Sequence, residues 1–121
     1  MARILIIDDD EFMRMAIKDT LLKHGHDIVA EMAEGEDAFQ AYLELKPDLV
    51  LMDIKMPVTG WKKSLKNFLV TDKDAKTADC SSIGQKTMIT ESMEIGTMGF
   101  IVKQYGHNGT LDVIKKIGEP N

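Results

Sequence analysis

The chain has 121 residues, of which 44% are hydrophobic and 29% are charged, and both values are typical of one globular domain. Its formal net charge of -5 argues against nucleic acid as a direct partner, because binding to phosphate backbones requires clustered positive charge. No apolar run approaches the roughly 18 residues of a membrane span, so no membrane association is expected. The single cysteine, Cys80, cannot form an internal disulfide, which favours a reducing, cytoplasmic location.

The N-terminal segment predicts a buried strand followed by a helix. Residues 3–7 form an apolar strand that runs directly into Asp8, which is not the pattern of a secretory signal peptide. The acids at positions 8–10 can cap the next helix, because a short acidic side chain accepts the free amide hydrogens of its first turn. Apolar residues recur at helical spacing from Phe12 to Leu21, and Gly25 is placed to end that helix.

The middle of the chain repeats this pattern. A weaker strand is expected at residues 28–30, ending near Met32, and an amphipathic helix from Ala38 to Leu45. Four consecutive apolar residues, 49–52, then run into Asp53, which predicts a short buried strand with a carboxylate at its end. Pro57 stops regular pairing soon afterwards.

The second half continues the alternation of strands and helices, although its fourth strand has poor strand character. Strands are predicted over residues 76–81 and 100–102, and helices over 61–70, around 88–93 and around 111–117. Five strands alternating with five helices predict an α/β domain with a parallel sheet. No repeat, linker or low-complexity segment appears, so residues 1–121 are expected to form a single domain without an output domain.

Acidic residues follow two of the predicted strands, at the point where each strand ends. Ligands of open parallel sheets bind in the crevice at the carboxyl ends of the strands, so Asp8, Asp9 and Asp53 are predicted to build one pocket. Three carboxylates in one pocket repel one another, and a hard divalent cation such as Mg²⁺ relieves that repulsion. Considered alone, the acids at 8–10 could also serve only as a helix cap.

Four short motifs occur together and in order along the chain. They are Ile7-Asp8-Asp9, Asp53-x-x-Met56-Pro57, Ser81 after the fourth strand and Lys103 after the fifth. In this combination the chain resembles the receiver domain of two-component response regulators. The run from Asp9 to Met15 is most similar to stand-alone chemotaxis regulators of the CheY type. The resemblance implies a doubly wound, flavodoxin-like fold with strand order 2-1-3-4-5.

The resemblance also implies a function for the acidic pocket. Asp53 would take a phosphoryl group from a sensor histidine kinase or a histidine phosphotransfer protein in a Mg²⁺-dependent reaction. Mg²⁺ would be bound directly by Asp9, Asp53 and the backbone carbonyl of Lys55, with Asp8 acting through water. Lys55 stands two residues after Asp53, where its side chain would meet the entering water, so it is expected to lengthen the phosphorylated lifetime.

Three further residues are assigned to the switch by resemblance. Ser81 and Lys103 would share the charge on the phosphoryl oxygens. Phe100 would follow as the aromatic reporter on the fifth strand, with a plain core residue as the equal alternative, since it lacks the hydroxyl of the commoner Tyr. The phosphorylated form would bind a downstream effector through the fourth helix, fifth strand and fifth helix. A flagellar motor or chemotaxis component is the family-level expectation for that effector.

The chain is expected to be a monomer, with a weak dimer as the alternative. It is not expected to be an enzyme beyond its own phosphorylation and dephosphorylation. A degenerate receiver, acting as a phosphorylation-independent interaction module, is the alternative function. A Mg²⁺-dependent phosphatase of the Asp-x-Asp type is excluded, because Lys55 rather than an acid stands two residues after Asp53.

Departures from the family pattern are concentrated in the second half of the chain. Gly60 comes one residue early, so that Trp61 takes the usual place of the glycine. Asp79 stands in the fourth strand, where a buried carboxylate is costly, and is expected to weaken the fold. Gln104 replaces the usual proline after Lys103. The bond between them is expected to be trans, because a cis bond without proline costs roughly 2.5–4 kcal/mol.

Overall fold

The computed structural model describes residues 2–33, 35–53, 61–71, 76–81, 86–97 and 99–102, and over these ranges strands alternate with helices. The strands are β1 (Arg3–Ile7), β2 (Asp27–Met32), β3 (Leu49–Asp53), β4 (Thr77–Ser81) and β5 (Gly99–Val102). The helices are α1 (Glu11–Lys23), α2 (Gly35–Leu45), α3 (Trp61–Thr71) and α4 (Lys86–Ile95). The fifth helix predicted around residues 111–117 lies outside the described residues. Among the helices of the described ranges, none is both long and apolar enough to cross a membrane.

The five strands form one sheet in the order β2-β1-β3-β4-β5, and every neighbouring pair is parallel. The predicted α/β class, the parallel sheet and the strand order are therefore confirmed. The chain leaves β1 towards β2 on one side of the sheet and later returns to place β3 on the other side. The carboxyl ends of β1 and β3 thus flank the point at which the strand order reverses, where doubly wound sheets bind ligands.

The sheet is covered on both faces, because side chains of a strand alternate between them. One face packs against α2 and α3, and its buried residues are Leu5, Ile7, Ala38, Ala41, Tyr42, Val50, Met52 and Leu65. The other face packs against α1, and its buried residues are Ala2, Ile4, Ile6, Leu21, Leu49, Leu51, Ala78 and Cys80. All five residues of β3 are buried, which explains why its sequence is continuously apolar up to the terminal acid.

Both ends of α1 follow from the sequence. Asp10 is the N-cap, and its side-chain Oδ1 accepts hydrogen bonds from the backbone N–H groups of Phe12 at 3.0 Å and Met13 at 3.3 Å. At the other end Gly25 has a φ of +84°, a left-handed conformation that favours glycine. The Gly25 and His26 N–H groups donate back to carbonyls in the last turn, which closes the helix. The predicted cap and stop are confirmed.

Strand β2 ends at Met32 as predicted, but it begins at Asp27 and its pairing is irregular. It covers six residues, and its pairing with β1 shifts by one residue, from Ile4 opposite Ile28 to Leu5 opposite Ala30. Val29 is therefore the extra residue of a β-bulge. A one-residue shift exchanges the two faces of a strand, so Met32 packs into the core on the α2 side while Glu31 emerges towards α1.

Strand β4 is regular despite its weak sequence signal. It pairs with β3 and with β5 along its length, and Asp79 stands opposite Met52 on one side and Phe100 on the other. At its start, the Thr97 hydroxyl donates to the Thr77 carbonyl at 3.0 Å and lies 3.2 Å from the Thr77 hydroxyl. The side chain of Asp79 is outside the described part of the structure, so its predicted weakening of the fold stays a prediction.

Candidate functional site

The first and third strands bring two acids to the same level of the sheet. Ile7 of β1 pairs with Met52 of β3, so the next residue along each strand is an acid, Asp8 or Asp53. Each of these two acids is only 1% exposed, whereas the neighbouring Asp9 is exposed. One carboxylate oxygen from each of the three acids lies within 4.8 Å of the others. The structure thus gathers Asp8, Asp9 and Asp53 in one cluster at the carboxyl edge.

The three consecutive acids after β1 have three different environments. Asp8 extends the pairing with β2, because its N–H donates to the Met32 carbonyl at 2.9 Å. Its side-chain Oδ1 accepts the Asp10 N–H at 2.9 Å, which turns the chain towards α1. Asp10 caps the helix, and Asp9 between them lies at the exposed rim of the cluster. The helix-cap alternative therefore describes Asp10, whereas Asp8 and Asp9 belong to the acidic cluster.

The donor set of this cluster fits a hard divalent cation. It offers only carboxylate oxygens, the ligand type preferred by Mg²⁺. Two of the carboxylates are buried, where the repulsion between like charges is screened less than in water. The third is exposed, which leaves room for the water ligands that Mg²⁺ retains. Lys55, whose carbonyl was predicted to complete the set, lies outside the described residues.

The predicted switch residues are only partly described. Asp53 pairs with Cys80 of β4, so Ser81 stands one residue beyond Asp53 towards the carboxyl edge. Ser81 in turn pairs with Val102, the last residue of β5, and Phe100 lies within β5. Nothing is described of the Ser81 and Phe100 side chains. Their predicted roles, and those of Lys103 and of the bond between residues 103 and 104 outside the described ranges, stay predictions.

Sequence reasoning missed a charged network beside the acidic cluster. Nη1 of Arg14 donates a hydrogen bond to the backbone carbonyl of Asp8. Nε of Arg14 lies 3.8 Å from Oε1 of Glu31, and Nζ of Lys18 lies 2.7 Å from Oε2 of the same residue. Arg14 and Lys18 are four residues apart, so their common face on α1 could be found from the sequence. Their shared acid could not, because Glu31 reaches them only through the bulge in β2.

Comparisons with known proteins identify the family. The model of the response regulator receiver domain matches residues 4–115. The chemotaxis protein CheY of Bacillus subtilis is 43% identical over 114 residues, which are 94% of this chain and 95% of that relative. The chemotaxis protein CheY of Thermotoga maritima is 38% identical over 117 residues, which are 97% of this chain and 98% of that relative.

A solved structure is similar to this chain in fold. The response regulator domain of Thermotoga maritima CheB matches with a TM-score of 0.85 and 27% sequence identity. The match covers 98% of this chain and 97% of that one. The family predicted from the Ile-Asp-Asp and Asp-x-x-Met-Pro motifs is confirmed. This chain belongs to the response regulator receiver domain family.

Proposed function

We propose that this chain is the phosphoacceptor switch of a two-component signalling system, and that Asp53 is the residue that takes the phosphoryl group. One observation carries the proposal: Asp53 ends the central buried strand with its carboxylate beside those of Asp8 and Asp9. Membership of the receiver family supports the same function. The two relatives described above are named as chemotaxis proteins, which supports a place in chemotaxis.

The roles of the acids follow from their charge and position. Asp9 and Asp53 would hold Mg²⁺ directly, together with the Lys55 carbonyl, and Asp8 would act through water. A bound Mg²⁺ supplies positive charge to the phosphoryl oxygens, which would otherwise meet three carboxylates. The Ser81 hydroxyl and the Lys103 amine would bind the phosphoryl oxygens from the side of β4 and β5 and share their negative charge.

The transfer itself is an in-line displacement at phosphorus. A carboxylate oxygen of Asp53 attacks the phosphorus atom of a phosphohistidine on the donor protein. The bond from phosphorus to the imidazole nitrogen breaks, and its electron pair stays on the imidazole, which then takes up a proton. Water later attacks the same phosphorus, the bond to the Asp53 oxygen breaks, and inorganic phosphate leaves. This second step restores the Asp53 carboxylate and resets the switch.

The remaining expectations about partners and location belong to the same proposal. The donor would be a sensor histidine kinase or a histidine phosphotransfer protein. The effector would bind the face formed by α4, β5 and the helix predicted around residues 111–117, with Phe100 as the reporter. The chain would catalyse only its own phosphorylation and dephosphorylation. Its cytoplasmic location and monomeric state stay predictions.

The experiment that tests the proposal is incubation with acetyl phosphate and Mg²⁺, followed by intact mass measurement. The wild type should gain one phosphoryl group, and Asp53→Asn should gain none. Asp27→Asn is the matched control, because Asp27 is an exposed acid at the opposite end of the sheet. It should gain the group as the wild type does, and chelation of Mg²⁺ should abolish the gain in both.

The same assay distinguishes the phosphoacceptor role from the alternative function. A degenerate receiver that only binds other proteins would leave the wild type unmodified in the presence of Mg²⁺. A gain that survives Asp53→Asn would instead place the modification on another residue. Either result would contradict the proposed phosphoacceptor role of Asp53.

A further inference from the structure

The bulge in β2 has a consequence for the acidic pocket. In an uninterrupted strand, residues 28, 30 and 32 would share one face, and Glu31 would project into the apolar core on the α2 side. The bulge at Val29 reverses this order, and Val29, Ala30 and Met32 pack against that core instead. Glu31 therefore faces α1 at the level where β1 ends. Bulges beside functional sites commonly redirect a side chain in this way.

Glu31 holds a guanidinium group against the main chain of the pocket. We call Arg14, Glu31 and the Asp8 backbone carbonyl the Arg14 clamp. Arg14 donates from Nη1 to that carbonyl while its Nε faces the Glu31 carboxylate at 3.8 Å. The Arg14 side chain is 17% exposed, so the contact is largely withdrawn from solvent. Within the described residues Nε of Arg14 makes no hydrogen bond, so Glu31 acts on it through charge.

The clamped carbonyl belongs to the peptide unit that joins Asp8 to Asp9. This unit is planar, so a hydrogen bond to its oxygen restricts rotation at both residues. The Asp8 N–H and Oδ1 are fixed separately, by Met32 and by the Asp10 N–H. The carbonyl is a further point at which this turn is fixed. Holding it determines the directions in which two adjacent carboxylates leave the backbone.

We propose that Arg14 is a positioning residue, which sets the Asp8–Asp9 peptide so that both carboxylates converge with Asp53 on a divalent cation. The inference rests on the proposed function, since it assumes that the acidic cluster binds Mg²⁺. Arg14 touches neither the cation nor the phosphoryl group, and it acts through the backbone of the ligands. Groups that orient metal ligands in this way typically change metal affinity by about 10- to 100-fold when they are lost.

Lys18 provides a matched control for the clamp. Its ammonium group also binds Glu31, at 2.7 Å, and lies one helical turn after Arg14. Among the described residues, however, its hydrogen-bond partner is Glu31 and not the backbone of the pocket. Replacing Lys18 thus removes a positive charge and a contact to Glu31 while the bond from Arg14 to Asp8 remains. Arg14→Lys keeps the positive charge but removes the planar guanidinium group, whose Nη1 binds the Asp8 carbonyl while its Nε faces Glu31.

The experiment is calorimetric titration of Mg²⁺ into the wild type, Arg14→Lys, Glu31→Gln and Lys18→Met, with melting temperatures measured in Mg²⁺-free buffer. Arg14→Lys should weaken Mg²⁺ binding about 10-fold, and Glu31→Gln about threefold in the same direction. Lys18→Met should stay within about twofold of the wild type, since it leaves the bond from Arg14 to the Asp8 carbonyl in place. A purely structural role would lower the melting temperatures and leave the Mg²⁺ affinity unchanged.

Several results would overturn the inference. One is a folded Arg14→Lys variant that binds Mg²⁺ as the wild type does. Another is a Lys18→Met variant weakened as much as Arg14→Lys, which would show that nearby charge matters and the clamp does not. If Arg14→Lys fails to fold, Glu31→Gln decides, and an unchanged affinity there contradicts the clamp. A wild type that binds no Mg²⁺ would overturn the proposed function as well.

Discussion

The two edges of the sheet differ in how their charged and polar groups are paired. At the amino edge polar groups satisfy one another: Asp48 accepts the Arg3 N–H at 2.8 Å, and Arg3 donates to the Lys46 carbonyl at 2.9 Å. The ring of His26 there accepts the Ala2 N–H at 3.2 Å. At the carboxyl edge three carboxylates meet within 4.8 Å, two of them buried.

This difference separates stability from function. A domain that only had to fold would not gather like charges at the end of its best-packed strands, because their repulsion opposes folding. Natural proteins depart from such rules at functional sites and compensate elsewhere. The amino edge therefore contributes to the fold, and the carboxyl edge is where the proposed cation would bind.

The largest expected effect comes from Asp53→Asn in Mg²⁺-free buffer. The change removes one of three mutually repelling charges with little change in shape, so it should raise the free energy of unfolding by about 1–3 kcal/mol. Urea unfolding of the wild type and the variant measures this difference. A variant less stable than the wild type would mean that the Asp53 charge is favourable in the folded state, contrary to the comparison of the edges.

Removing an acid from the amino edge should lower the free energy of unfolding, the opposite of the change expected at the carboxyl edge. Asp48→Ala removes the acceptor of the Arg3 N–H and should lower the free energy of unfolding by about 1 kcal/mol. Its Mg²⁺ affinity should equal that of the wild type, because Asp48 lies at the far end of β3 from Asp53. The same urea series measures the first effect and calorimetry the second. Unchanged stability, or a loss of Mg²⁺ binding, would remove the distinction between the two edges.

The smallest expected effect concerns Lys55, two residues past Asp53. Lys55→Ala should speed autodephosphorylation about threefold, because the long cation would otherwise pair with the phosphoryl oxygens and crowd the attacking water. The decay of the phosphorylated protein after removal of acetyl phosphate measures the rate, with Lys63→Ala on the exposed surface of α3 as the control. An unchanged or slower decay in Lys55→Ala would show that the Lys55 side chain does not shield the phosphoryl group from water.

The sequence predicted those parts of the site that depend on local pattern. Apolar runs that end in acids placed Asp8 and Asp53 at strand ends, and parallel pairing then brought them together. The order of the strands followed only from the family resemblance, because periodicity does not say which strands are neighbours. The cap at Asp10 and the stop at Gly25 were local too, and both were found.

The parts that were missed depend on register between distant segments. Residues 28–30 are all apolar, so the sequence does not show which face of β2 each of them occupies. The bulge at Val29 therefore leaves no periodic signal. Without the bulge, Glu31 would lie on the face of the sheet opposite Arg14. The regular β4 strand was underestimated for a similar reason, since pairing on both sides and the contact of Thr77 with Thr97 outweigh its low propensity.

The most direct test of the account is the stability of the wild type as Mg²⁺ is added. A cation that binds only the folded state should raise the melting temperature, with a gain of about 2.7 kcal/mol at 100 times the dissociation constant. Asp53→Asn should lose most of this gain, and Asp48→Ala should keep it. A wild-type melting temperature that stays constant through millimolar Mg²⁺ would contradict the claim that the carboxyl edge is a cation-dependent phosphoacceptor site.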